Sequence, residues 1–187
     1  GEIDDFVLES LVKNYEDFMK TSKVQFNLVD DTLSKVKGRV TINGVEKEVV
    51  GSQMPLFDIK SMKTRFGDII DNQYAGANKV APDEFLEIGR QIDQLNTVGA
   101  KEGFTSFNGL KELRKNINDT LMNPELGIKD TTPRRLLNVL KSDIDRMMDP
   151  SNYKSGGLKL TGVGGAQNAK TVKKAMGQLL DARASYR

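Results

Sequence analysis

The sequence predicts a mainly α protein, a multi-helix bundle with a β-hairpin inserted near residues 39–50. Three observations carry this prediction. Apolar residues recur at helical spacing in successive segments, proline or an acidic first turn opens several of them, and a single Asn-Gly dipeptide stands between two β-rich runs.

The first helix is expected from about Ile3 to Lys20. Ile3, Phe6, Val7, Leu11, Tyr15, Phe18 and Met19 form its stripe, and Asp4 and Asp5 sit where the helix dipole favours acid. A second helical piece covers Phe26 to Val36, with Asp30 or Asp31 as its cap. Next, Arg39-Val-Thr-Ile-Asn-Gly-Val-Glu-Lys-Glu-Val-Val50 places Asn43-Gly44 at a two-residue type I′ turn. That register sets Ile42 opposite Val45, Thr41 opposite Glu46, Val40 opposite Lys47, and Arg39 opposite Glu48 as a charge pair. Two strands alone are not stable, so the hairpin should pack on helices or project as an arm.

Four helices follow. Pro55 opens one striped by Leu56, Ile59, Met62, Phe66, Ile69 and Ile70. Pro82, with Asp83 and Glu84, opens another carrying Phe85, Ile88, Ile92 and Leu95 and ending near Gly99. Thr105 or Ser106 caps a third with Phe107, Leu110, Leu113, Ile117 and Leu121. Thr132-Pro133 starts the fourth, with Leu136, Leu137, Leu140, Ile144 and Met147, and Pro150 closes it. Each stripe is expected to bury one face in the bundle. Met147-Met148 is read as core filling.

The organisation expected is a helical bundle domain over 1–150 with the hairpin. A Gly-containing linker and basic C-terminal helix, starting near Ala166, occupy 151–187. The helix-forming residues near both ends, and Gly1 in place of an initiator Met, suggest a segment of a longer chain. Gly1 is compatible with a processing site or a tag remnant.

Composition narrows the chemistry. The 187 residues include no Cys and no His, so a disulfide framework, a thiolate or imidazole metal site and a Ser-His-Asp triad are excluded within them. Acid–base work is left to carboxylates, Lys and Tyr, and metal binding to oxygen ligands. The expectation is a chain that is not an enzyme and needs no cofactor. No apolar run approaches the roughly 20 residues of a membrane-spanning helix.

Gly164-Gly-Ala-Gln-Asn-Ala-Lys170-Thr171 has the outline of a phosphate-binding Walker A loop. Ala169 stands where that motif has glycine, and no buried strand precedes it, so the segment reads as a linker entering a helix. Asp4/Asp5, Asp30/Asp31 and Asp143/Asp145 read as caps and solvated surface, because neighbouring acids on a helix point apart. Charge is split along the chain: residues 151–187 carry +6, against −4 for the remainder. Lys154, Lys159, Lys170, Lys173, Lys174, Arg183 and Arg187 are therefore the candidate contact residues for nucleic acid or a protein partner. Lys170, Lys173 and Lys174 share one helical face. The interleaved aromatics of a single-strand binder are missing; the bland alternative is a solvated face, or docking to the acidic remainder or a neighbouring chain.

The segment from Phe104 to Leu121 is a cap followed by a helix of the form L-x-x-L-R-x-x-I-x-x-x-L. Arg135 to Asp145 is a further helix ending in Asp143-Ile144-Asp145. Together with Tyr15 in a helix and the helix expected at Leu56, this order resembles the large internal or DNA-ejection virion proteins of tailed bacteriophages, over about residues 10–148. The resemblance implies a virion localisation after synthesis in the bacterial cytoplasm. It also implies partners among other virion proteins or copies of the chain itself, with DNA as the alternative partner. No active-site residue carries over from the lytic or polymerase domains that such proteins sometimes hold. An accessory domain of a larger phage enzyme is the remaining alternative. The hairpin and basic tail are not explained by the resemblance.

Overall fold

The first helix of the computed structural model, α1, is one continuous rod from Glu2 to Ser34. At about 1.5 Å per residue it is about 50 Å long. The break expected after Lys20 does not occur, because Thr21 and Ser22 cost a helix interior only about 0.5 kcal/mol each and neither Gly nor Pro interrupts the run. Asp30 and Asp31 consequently lie inside the helix and are not caps; the Asp30 carboxylate sits 3.9 Å from Lys111 Nζ. The structure describes residues 2–74, 82–95, 103–123, 131–152 and 166–186.

Strands β1 (Lys37–Ile42) and β2 (Val45–Val50) pair antiparallel in the expected register, Ile42 opposite Val45 through Arg39 opposite Glu48. Asn43 and Gly44 both take positive φ, 51° and 77°, as a type I′ turn requires. The Arg39 guanidinium reaches the diagonal Glu46, at 3.4 Å, in place of Glu48. The tip of the hairpin is exposed. Its base is tied down where Gly51 N donates to Val36 O at 2.7 Å and Val49 packs on the core.

After a 3-10 turn at Gly51–Gln53, the chain departs from expectation again. Phe57–Asp58 (β3) pairs with Phe104–Thr105 (β4), a second antiparallel pair that the hydrophobic pattern did not signal. Helix α2 therefore spans Lys60–Gln73 and does not start at Pro55. Leu56 and Ile59 are buried, but in the segment that leads into it. Asp58 Oδ1 accepts from Lys60 N at 3.0 Å and covers one of the helix's first amide groups.

Helix α3 (Asp83–Gln94) follows Pro82, and Ser106 caps α4 (Phe107–Leu121) by accepting from Gly109 N at 3.1 Å. Helix α5 runs from Thr131 to Met148, with a 3-10 turn at Pro150–Asn152 beyond it, and α6 covers Ala166–Tyr186. The stripes of α3, α4 and α5 are buried as their spacing requires, and Met148 is fully enclosed. Phe66 of α2 stacks on Phe85 of α3, centroids 5.8 Å apart and planes within 9°.

Val172, Ala175, Met176 and Leu179 of α6 belong to the same buried cluster as Val29 and Leu33 of α1. The basic C-terminal segment thus contributes a helix to the common core. The molecule is mainly α with a small hairpin, and no helix among the described residues is long and apolar enough to cross a membrane.

Candidate interaction surfaces

Two helices and one ion cluster set the geometry of the exposed faces. Thr32 Oγ1 of α1 donates to Gln178 Oε1 of α6 at 2.7 Å. Phe26 and Val29, earlier on α1, share a groove with Leu179 and Arg183, later on α6. The two helices therefore run antiparallel. Tyr186 lies eight residues past Gln178, so at equal rise the described part of α6 reaches to about Val24 of α1.

The N-terminal half of α1 extends beyond that point with its apolar side chains open to solvent. Ile3 is 79% exposed, Phe6 69% and Tyr15 63%, with Val7, Leu8, Leu11 and Val12 also open to solvent. The core burial expected for this stripe is thus overturned for these residues. Their spacing is that of an amphipathic helix, but they stay exposed. Ile3, Val7, Leu11 and Tyr15 continue the helix face that Val29 and Leu33 bury further along. Asp5, Glu9 and Glu16 are exposed along one border of it.

The groove lies between α1, α4, α5 and α6 and encloses about 570 Å³. Phe26, Val29, Phe107 and Leu179 supply its apolar lining. Five cationic side chains line it (Lys111, Arg114, Lys115, Lys141 and Arg183), against three carboxylates, Asp30, Asp119 and Asp145, leaving it net basic. Asp145 anchors the deep end: its Oδ1 accepts from Arg114 Nε at 2.7 Å and from Arg183 Nη1 at 2.9 Å. On the far side of α5, Asp143 takes Arg65 at 2.8 Å and Arg146 at 3.8 Å. The two acids of the Asp143-Ile144-Asp145 element are therefore ion-pair centres binding α5 to α2, α4 and α6.

The candidate contact residues divide accordingly. Lys170, Lys173 and Lys174 are exposed on the first turns of α6. Arg183 is turned into the bundle, its side chain only 14% exposed on Asp145. Lys154, Lys159 and Arg187 lie outside the described residues, as do Gly164 and Gly165 of the Walker-like segment, whose Lys170 and Thr171 are residues of α6. Among the described residues no group of three acids is placed to hold a metal ion. The lysines of α4 and α5 around the groove escaped the sequence reading because they come from separate helices in a part of the chain that is acidic overall. No protein-family model, curated protein or solved structure matches the chain.

Proposed function

We propose that this chain is a structural, non-enzymatic assembly module of a tailed-phage virion protein, of the internal or DNA-ejection type, working through protein–protein contacts. The observation that carries the assembly reading is the solvent-exposed apolar half of α1. A monomer rarely leaves a contiguous apolar patch above about 300–600 Å² uncovered, and larger patches mark interaction sites. The virion assignment rests on the helix pattern of residues 10–148. Want of His and Cys supports a non-catalytic role. The test is incorporation: a chain carrying Phe6→Glu and Leu11→Glu should fold normally yet fail to enter the particle. Normal incorporation of that variant would count against the reading.

A second reading, nucleic-acid binding, is favoured by one specific observation, the shared exposure of Lys170, Lys173 and Lys174. It requires affinity for arbitrary DNA that falls steeply with salt, by counterion release. Deleting 151–187 would not be a clean probe, because Val172, Ala175, Met176 and Leu179 are core residues. Charge reversal of the three lysines is the proper test; unchanged DNA affinity in that variant would end this reading.

A further inference from the structure

We infer that Asn43, at the tip of the hairpin, is a site of spontaneous deamidation, and that the fold directs this chemistry there and away from the other Asn-Gly dipeptide, Asn108-Gly109. The modification is independent of the assembly reading above and stands or falls without it.

The reaction needs only the chain and water. The Gly44 amide nitrogen gives its proton to hydroxide and bonds to Asn43 Cγ, the side-chain nitrogen leaves as ammonia, and a cyclic succinimide results. Water then adds to either ring carbonyl and the ring C–N bond at that carbonyl breaks, leaving aspartate or isoaspartate at position 43. Glycine favours the first step because no Cβ shields the attacking nitrogen. In sequence, both dipeptides meet that requirement equally.

Structure separates them. The ring closes only when the asparagine rotates about ψ out of its folded conformation, so each site reacts as readily as its backbone opens. Asn43 and Gly44 are exposed at the turn, and nothing lies within 4 Å of a Cβ placed on Gly44. Opening the turn parts the terminal Ile42–Val45 pair, and Val45 is already 57% exposed. Such a frayed end opens at low cost.

Asn108 is exposed too, so exposure alone does not discriminate. Its neighbour does. Gly109 N donates to the Ser106 cap at 3.1 Å, and a Cβ placed on Gly109 would lie 2.5 Å from Thr105 Oγ1 and 3.2 Å from Leu95 Cδ2. Rotation at Asn108 would unwind the first turn of α4, which carries the core residues Phe107 and Leu110. At position 43 the two products differ in effect. Aspartate keeps the type I′ turn, which Asp-Gly also favours, and adds a negative charge at the tip. Isoaspartate inserts a methylene into the backbone, so the two-residue turn and the register it sets are lost.

The test is ageing of the whole chain in mildly alkaline buffer, with a parallel sample in concentrated urea, each followed by peptide mapping with mass detection. In the folded chain position 43 should convert at least about tenfold faster than position 108, the ratio produced by about 1.4 kcal/mol of extra opening cost at Asn108. In urea, where no fold protects Gly109, the two rates should converge. Isoaspartate should be found at position 43 by enzymatic methylation of its carboxylate, because only opening of the ring makes it. Equal rates in the folded chain, conversion at position 43 that appears only in urea, or a tenfold ratio that persists in urea would overturn the inference. So would aspartate at position 43 with no isoaspartate, since direct hydrolysis would then have replaced ring closure.

Discussion

Arg183 of α6 donates to Asp145 of α5 across 2.9 Å, and this ion pair fixes the last helix of the chain to the centre of the bundle. Arg114 of α4 reaches the same carboxylate at 2.7 Å, so three helices meet on one acid. All three side chains are less than a third exposed, which sets this cluster apart from the solvent-facing pairs such as Arg39 with Glu46. Replacing Asp145 strands two arginines, whereas replacing one arginine leaves the carboxylate with the other. Asp145→Asn should therefore destabilise by about 2–3 kcal/mol, and Arg183→Met by about 1 kcal/mol. Urea denaturation of the two variants measures the difference; equal losses would show that the second arginine does not compensate.

The stripes of α1 and α3 look alike in sequence and meet different fates in the fold. Phe85 is fully buried and Phe6 is mostly exposed. Phe85→Ala should cost about 3–5 kcal/mol through the cavity it leaves. Phe6→Ala should stay within about 0.5 kcal/mol under dilute conditions where the chain is monomeric. Thermal unfolding of both variants at low concentration decides the matter, and a large loss at Phe6 would mean that the N-terminal half of α1 is covered within the chain.

That contrast shows how far the residues themselves reveal the fold. Helical stripes, the Ser106 cap, the start of α3 after Pro82 and the register of the hairpin are local, and each is readable because a period or a turn dipeptide states it. Burial of a stripe is not local: the first half of α1 repeats the pattern of a core helix, yet Ile3, Phe6 and Tyr15 are exposed while Val29 and Leu33 on the same helix are buried. The β3–β4 pair joins two-residue strands separated by residues 59–103, and strands that short give no period to register. The basic groove is assembled mainly from α4 and α5, in the region whose net charge is −4, so counting charge along the chain directed attention to α6 instead. Arg183 illustrates the same limit, since the sum counts it as surface charge while Asp145 holds it inside.

Gly51 marks a close approach between the base of the hairpin and α1. A methyl group built there would lie 2.9 Å from both the Leu33 carbonyl oxygen and Val36 Cβ, and neither backbone nor a β-branched carbon can swing away. Gly51→Ala should destabilise by about 1–3 kcal/mol, as overpacking of a filled interior does. Gly67 on α2 has open space around the same position, so Gly67→Ala should be neutral or stabilising by up to about 1 kcal/mol. Chemical denaturation of the pair checks both signs.

Reversing Lys170, Lys173 and Lys174 to Glu separates contact from stability. The three side chains are exposed, and the buried residues of α6 alternate with them on the opposite face. Glu and Lys have similar helix propensity, so the exchange costs the helix little. The triple variant should therefore unfold within about 0.5 kcal/mol of wild type. Any loss of particle incorporation or of DNA affinity would then report contact by this face. The two losses point to different partners: salt-sensitive DNA binding that disappears marks the phosphate backbone, while defective incorporation with no DNA affinity to lose marks an acidic protein surface. Destabilisation well beyond that bound would instead mean that these lysines support the packing of α6.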